Sequence, residues 1–148
     1  MAQNDVSGAQ AVIDKYLNSY KHRNMDELAS CVAKDDDFVA FGTDTNESWH
    51  GWDEYRAATE RLFQVAREIE WKRGKTRIVF SRDGSCAWFS EELMGHFQTG
   101  GTKTDCPLRL SGVLENRGGN WLIVQFHRAM PVREFAVPYL DVHGVRFD

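Results

Sequence analysis

Residues 68–98, EIEWKRGKTRIVFSRDGSCAWFSEELMGHFQ, decide how the rest of the chain is read. Ile69, Trp71 and Arg73 alternate with Glu70 and Lys72; Thr76, Ile78 and Phe80 alternate with Arg77 and Val79. A period of two is that of a strand, whose successive side chains point to opposite faces. Asp83-Gly84 is a hairpin turn signal, and a second strand follows over 85–98. Gly100-Gly101 marks the next turn, a third strand covers 103–115, and the Gly-rich run 117–120 turns again. A fourth strand runs from Trp121 to Met130 and stops at Pro131.

Upstream of residue 68 the period is helical. Ala9, Val12, Ile13, Tyr16, Leu17 and Tyr20 fall on one helix face, and Ser7 with Gln10 reads as a capping box. Asn24 and Glu27 repeat the start signal for a short second helix with Met25, Leu28, Ala29 and Val32 inward. Residues 38–43 read as a strand and 44–51 as a polar loop. A third helix covers about 52–67, with Trp52, Tyr55, Thr59, Leu62, Phe63 and Ala66 on one face. Helices gathered before a run of antiparallel strands define an α+β domain. The curved sheet must wrap around the three N-terminal helices, giving a cone, because nothing else can cover their apolar faces.

The chain has 148 residues, a length suited to one domain. We read it as a single domain over 1–148, with its core over about 7–131 and the tail 132–148 unassigned. A net charge of −4 excludes the basic footprint of a nucleic-acid binder. No apolar run approaches the ~20 residues of a membrane span. Residues 1–7 carry no secretory signal, and three scattered cysteines suit reduced thiols in the cytoplasm. No cysteine–histidine spacing suggests a metal, and no cofactor motif occurs.

Hairpin pairing assigns the faces. If Thr99 faces Lys103 and Glu115 faces Trp121, even-numbered residues share the interior: Trp88, Ser90, Glu92, Met94 and His96 beside Leu110 and Gly112, then Phe126 and Arg128. Phe89, Glu91, Leu93, Arg109, Val113, Trp121, Ile123, Gln125 and His127 then face outward and mix apolar with charged groups. Such a face suits a homodimer contact. A slip of one residue in either turn would exchange the two sets.

The element order resembles the nuclear transport factor 2-like (cystatin-like) superfamily. Residues 38–44 (FVAFGTD) with Gly51 opening a helix, and 87–92 (AWFSEE), are similar to its SnoaL-like, polyketide-cyclase-like branch. Residues 121–128 (WLIVQFHR) resemble the last strand of the association domain of calcium/calmodulin-dependent kinase II. That resemblance implies an inner pocket for small carboxylates. Arg128 stands where that domain has a pocket arginine and Tyr55 where it has a histidine, while Ser90 and Gly112 replace two further arginines. Ketosteroid isomerase shares the fold, and its general base falls near Gly42, with Asp44 two residues on. The resemblance implies binding of a small organic molecule, with cofactor-free acid–base chemistry of isomerase, dehydratase or cyclase type. The alternative it implies is an oligomerisation module without catalysis, as a dimer or a higher oligomer.

The candidates follow. Arg128 and Glu92 are either a polar pocket end that orients a ligand, with Glu92 as acid or base, or a structural ion pair. Tyr16, Tyr20 and Tyr55 are either hydroxyl donors to a developing oxyanion or core rings. Ser90, Trp88 and Phe126 complete the expected lining, and Asp44 is a base at the pocket mouth or a turn residue. His96 and His127 alternate onto different faces, His127 outward.

Overall fold

Two departures from the expected element order appear in the computed structural model, which describes residues 4–131. The unassigned tail, 132–148, lies outside them. The elements are α1 (Val6–His22), α2 (Met25–Cys31), β1 (Val39–Phe41), β2 (Ser48–His50), α3 (Trp52–Val65), β3 (Ala66–Lys72), β4 (Arg77–Phe80), β5 (Cys86–Thr99), β6 (Thr102–Arg117) and β7 (Asn120–Ala129). The fold is α+β, a curved sheet with the helices held against one face. Strand order is β2-β1-β7-β6-β5-β3, with β4 also on β5. Among the described residues every strand-to-strand pairing is antiparallel except β1 on β7, and an isolated parallel bridge joins Val32 to Ile123.

The first departure is β2, which forms inside the expected loop and pairs Ala40 with Trp49. The second is the break of the expected 68–80 strand into β3 and β4. Gly74 lies in that break, where an added Cβ would come within 2.0 Å of the Glu92 carbonyl oxygen. The chain presses against β5 there, and only glycine leaves room.

Helix α1 is capped by Asp5 rather than by the expected Ser7–Gln10 box. The Gly8 N–H donates to Asp5 Oδ1 at 2.9 Å, and Trp121 Nε1 donates to Oδ2 at 3.1 Å. The cap thus ties the helix start to β7. Asn24 caps α2 as expected, accepting from the N–H groups of Asp26 and Glu27.

The faces of the sheet are where the expected register fails. The β5–β6 turn has two residues, so Thr99 faces Thr102. An odd residue of β5 therefore sits opposite an even residue of β6. Phe89, Glu91 and Leu93 turn inward beside Gly112, Leu110 and Leu108, and Trp88, Ser90 and Glu92 turn outward. The β6–β7 turn is also tighter than expected, with Arg117 opposite Asn120. A bulge at Val124 then restores the expected parity, pairing Gly112 with Phe126 and Leu110 with Arg128. Phe126 and Arg128 thus lie inside as expected, whereas Trp121 and Ile123, before the bulge, are buried instead of outward.

The core fills the concave side. Ile13, Tyr16, Leu17 and Tyr20 from α1 meet Phe38, Tyr55, Ile69, Phe89, Leu110 and Phe126. Rings dominate it: Tyr16 and Tyr55 stand 5.3 and 5.2 Å from Phe126 between centroids, in tilted and edge-on contact. A second buried feature is polar. Glu91, whose side chain is fully enclosed, accepts from Arg73 Nε at 2.6 Å, Arg73 Nη2 at 2.8 Å and Thr76 Oγ1 at 2.9 Å. Arg73 Nη1 also meets Asp14 on α1 at 3.1 Å. This clasp holds the β3–β4 break against α1 and β5.

Candidate functional site

Beyond the packed rings the concave side opens into a cavity of about 460 Å³. Its wall takes Tyr20 from α1, Thr59 and Leu62 from α3, Glu47 and Trp49 from the β1–β2 segment, and Phe97, Leu108 and Arg128 from the sheet. The volume suits a small ligand, and the wall joins apolar surface to polar groups that include a second arginine, Arg61. The larger outer-face groove, about 800 Å³, lies on the solvent side of β5 and β6.

Arg128 dominates the site. Its aliphatic stem leaves the inner face of β7, and the guanidinium carbon lies 5.1 Å from the Tyr20 ring centre and 5.3 Å from that of Phe126. Nη2 donates to Tyr20 Oη at 3.5 Å, a long contact. Nε is sealed from solvent and has no hydrogen-bond partner among the described residues. No carboxylate within them comes within ion-pair distance of this guanidinium. Burial works against the charge. The tyrosine oxygens of Tyr16, Tyr20 and Tyr55, with Glu47 beyond them, hold the pKa above the ordinary arginine value. Arg128 is therefore a cation at every physiological pH.

Tyrosines surround that cation. Tyr20 Oη and Tyr55 Oη are 2.6 Å apart. Tyr16 Oη is buried without a partner among the described residues. Burial pushes the Tyr16 and Tyr55 hydroxyls well above the usual phenol range, so both stay protonated donors. Of these groups Arg128 and Tyr20 line the cavity, with Tyr16 and Tyr55 packed behind them in the core; a guanidinium and a hydroxyl there form a receptor for an oxygen that carries negative charge.

The structure brings together only part of the expected set. Tyr16, Tyr20, Tyr55 and Phe126 are buried around Arg128. Glu92 is on the opposite face, 79% exposed, paired with an exposed Arg109 at 3.3 Å. The expected Glu92–Arg128 pair does not form; the inward carboxylate is Glu91, and it serves the clasp. Ser90 is exposed, and Trp88 is 50% exposed. Asp44 is exposed in the β1–β2 turn, where its carbonyl accepts from the Glu47 N–H. His127 faces out against the Phe41 ring, and His96 Nδ1 meets Asp105 Oδ1 at 2.7 Å away from the cavity. Glu47 and Trp49 were hidden in a stretch that reads as a polar loop. The one available signal was the apolar Trp49 between the polar Ser48 and His50.

The fold is an α+β domain whose curved sheet carries a cavity on its concave side. Residues 9–133 match the SnoaL-like domain, and the chain belongs to that family. No curated protein matches the sequence. Similar solved structures share the architecture at low identity. A protein named as a dehydratase of the nuclear transport factor 2-like family from Streptomyces avermitilis superposes with a TM-score of 0.77 at 11% identity, covering 86% of this chain and 96% of its own. One from Xanthomonas campestris, named as a calcium/calmodulin-dependent protein kinase II association domain, gives 0.73 at 19%, covering 88% and 91%. A nuclear transport factor 2-like superfamily protein from Salmonella enterica gives 0.76 at 14%, covering 86% and 94%. No helix among the described residues is long and apolar enough to cross a membrane.

Proposed function

We propose that the cavity binds a small organic molecule by a negatively charged or strongly polarised oxygen, and that the protein carries out cofactor-free acid–base chemistry on it. The reaction would be of isomerase, dehydratase or cyclase type. One observation carries the reading: Arg128 holds a cation under the sheet with a sealed Nε and no carboxylate partner among the described residues. Arg128 is half-buried and lines the cavity; a charge taken partly out of water is ordinarily paired, so this one suits an anionic oxygen from outside the chain. Fold neighbours named as a dehydratase and a dehydrochlorinase support chemistry in such a cavity. Three free thiols suit a cytoplasmic setting.

Thermal unfolding with a panel of small carboxylates and ketones tests this. A ligand that binds only the folded state at 100 times its Kd adds about 2.7 kcal/mol of stability. Some member should raise the melting temperature of the wild type, and Arg128→Met should lose that gain. A gain that survives Arg128→Met removes Arg128 from the site.

A second reading has its own observation. On the outer face, Trp88 and Val79 are paired neighbours, 50% and 49% exposed. Arg77, Glu92 and Arg109 lie beside them on the same face, so a second copy can meet this surface with opposite charges. The outer face would then join two copies, as the expected homodimer requires, with assembly as the main role if the cavity stays unused. Sedimentation equilibrium should show a dimer in the wild type and a monomer for Trp88→Glu. A wild-type monomer at micromolar concentration ends this reading.

A further inference from the structure

We propose that Glu47 is the proton-transferring carboxylate of the cavity, acting on a carbonyl compound whose charged oxygen is held by Arg128. The inference deepens the binding reading above and rests on it.

Among the described residues, Glu47 is the only Asp, Glu or His side chain in the cavity wall. Its position is built. Glu47 Oε2 accepts from the Thr43 N–H at 2.7 Å and the Asp44 N–H at 3.2 Å. The backbone closes around it, with the Gly42 N–H donating to the Glu47 carbonyl at 2.8 Å. These two N–H donors fix the place of that oxygen. Oε1 makes no hydrogen bond among the described residues, so one lone-pair face is available.

Gly42 is the second, independent observation. A Cβ there would stand 1.9 Å from Glu47 Oε2 and 2.7 Å from Glu47 Cβ. The carboxylate occupies space that any other residue at 42 would claim. Glycine is thus required for the Glu47 side chain to take this place, apart from any need of the strand.

The charges are arranged across a gap. Glu47 and Arg128 are both in the cavity wall, and no ion pair joins them among the described residues. Both face the same cavity. A ligand between them would put an oxygen toward Arg128 and Tyr20 and a carbon toward Glu47 Oε1. Glu47 takes a proton from the carbon next to the carbonyl. The C–H electron pair becomes the new C=C bond, and the carbonyl π pair moves onto the oxygen beside Arg128. Return of the proton to another carbon gives an isomer. Expulsion of a β-hydroxyl, protonated by the same carboxylic acid, gives an alkene and water. Neither route needs an oxidant or a reductant.

The probes are 2-oxo acids: pyruvate, 2-oxobutanoate and phenylpyruvate. Each has a carboxylate next to the C2 carbonyl oxygen, so that Arg128 can hold both, and an exchangeable proton on C3. Binding is read by ligand line broadening, and proton transfer by loss of the C3 proton signal in D2O. The wild type should bind at least one probe and speed its exchange over buffer. Glu47→Gln should keep binding and lose about 10²–10⁴-fold in exchange. Gly42→Ala, which keeps the carboxylate and displaces it, should lose about 10²-fold, and Glu47→Asp should retain part of the rate. Circular dichroism checks that each variant is folded. Binding with no exchange above buffer, or exchange unchanged in folded Glu47→Gln, overturns the assignment of Glu47 and leaves the binding reading standing. No binding of any probe overturns the reading that Arg128 holds a charged oxygen, and this inference with it.

Discussion

Arg73 and Arg128 both reach beneath the sheet, and their surroundings differ. Arg73 meets Glu91 through two nitrogens at 2.6 and 2.8 Å and Asp14 through a third at 3.1 Å. Arg128 meets aromatic faces, one tyrosine oxygen at 3.5 Å and no carboxylate among the described residues. Every polar group of the Arg73 clasp is answered from within the chain, which is what a structural role demands. The Arg128 side is left with two unanswered buried atoms, its own Nε and Tyr16 Oη. A guanidinium that faces a cavity with no carboxylate on it is what separates a receptor from a brace.

The largest effect that can break this contrast lies at the clasp. Glu91→Ala leaves Arg73 and Thr76 without their shared acceptor. Removing one partner of a buried pair costs about 3–5 kcal/mol; Arg73 keeps 31% exposure, so about 2–3 kcal/mol is expected here. Urea unfolding should show that loss, while any ligand response through Arg128 persists. Arg128→Met should behave in the opposite way. It gives up cation–π contacts worth about 1 kcal/mol each but relieves a desolvation penalty of several kcal/mol. Its unfolding free energy should hold level or rise as binding is lost. A drop as large as that of Glu91→Ala would make Arg128 a brace as well.

The same two arginines show what was legible in the sequence. Arg128 lies on an inner position because Phe126 and Arg128 share parity with Leu110, and a bulge at Val124 cancels the error made at the preceding turn. The inner carboxylate was misplaced by one residue because the Gly100-Gly101 turn holds two residues rather than three. A one-residue slip exchanges Glu91 for Glu92, and both letters are the same in the sequence. Helix faces survived better: Tyr16, Tyr20 and Tyr55 are where the 3.6 period puts them, since helical period depends on no partner strand. Glu47 was invisible for a different reason. Its place depends on a missing side chain at Gly42 and on turn N–H groups, and no periodic pattern announces those.

The smallest effect distinguishes the arginines by pH. Asp83, in the β4–β5 turn, has its carboxyl held down to about 2, from 3.8, chiefly by the Ser81 hydroxyl at 2.7 Å and also by the N–H and hydroxyl of Ser85. A carboxyl with a depressed folded pKa contributes stability that is complete above its unfolded value and is lost as pH falls through the folded one. For Asp83 that window runs from about pH 4 down to about pH 2. Asp5, chiefly through the Gly8 N–H, and Asp35, chiefly through Arg117, act in the same direction. Arg128, Tyr16 and Tyr55 do not titrate in that range. Urea midpoints from pH 5 to pH 2 should fall less steeply for Asp83→Asn than for the wild type, and Arg128→Met should run parallel to the wild type. A shallower acid limb in Arg128→Met would reveal a carboxylate bound to that guanidinium. Arg128 would then be the same kind of group as Arg73, and the cavity would have lost its counter-charge.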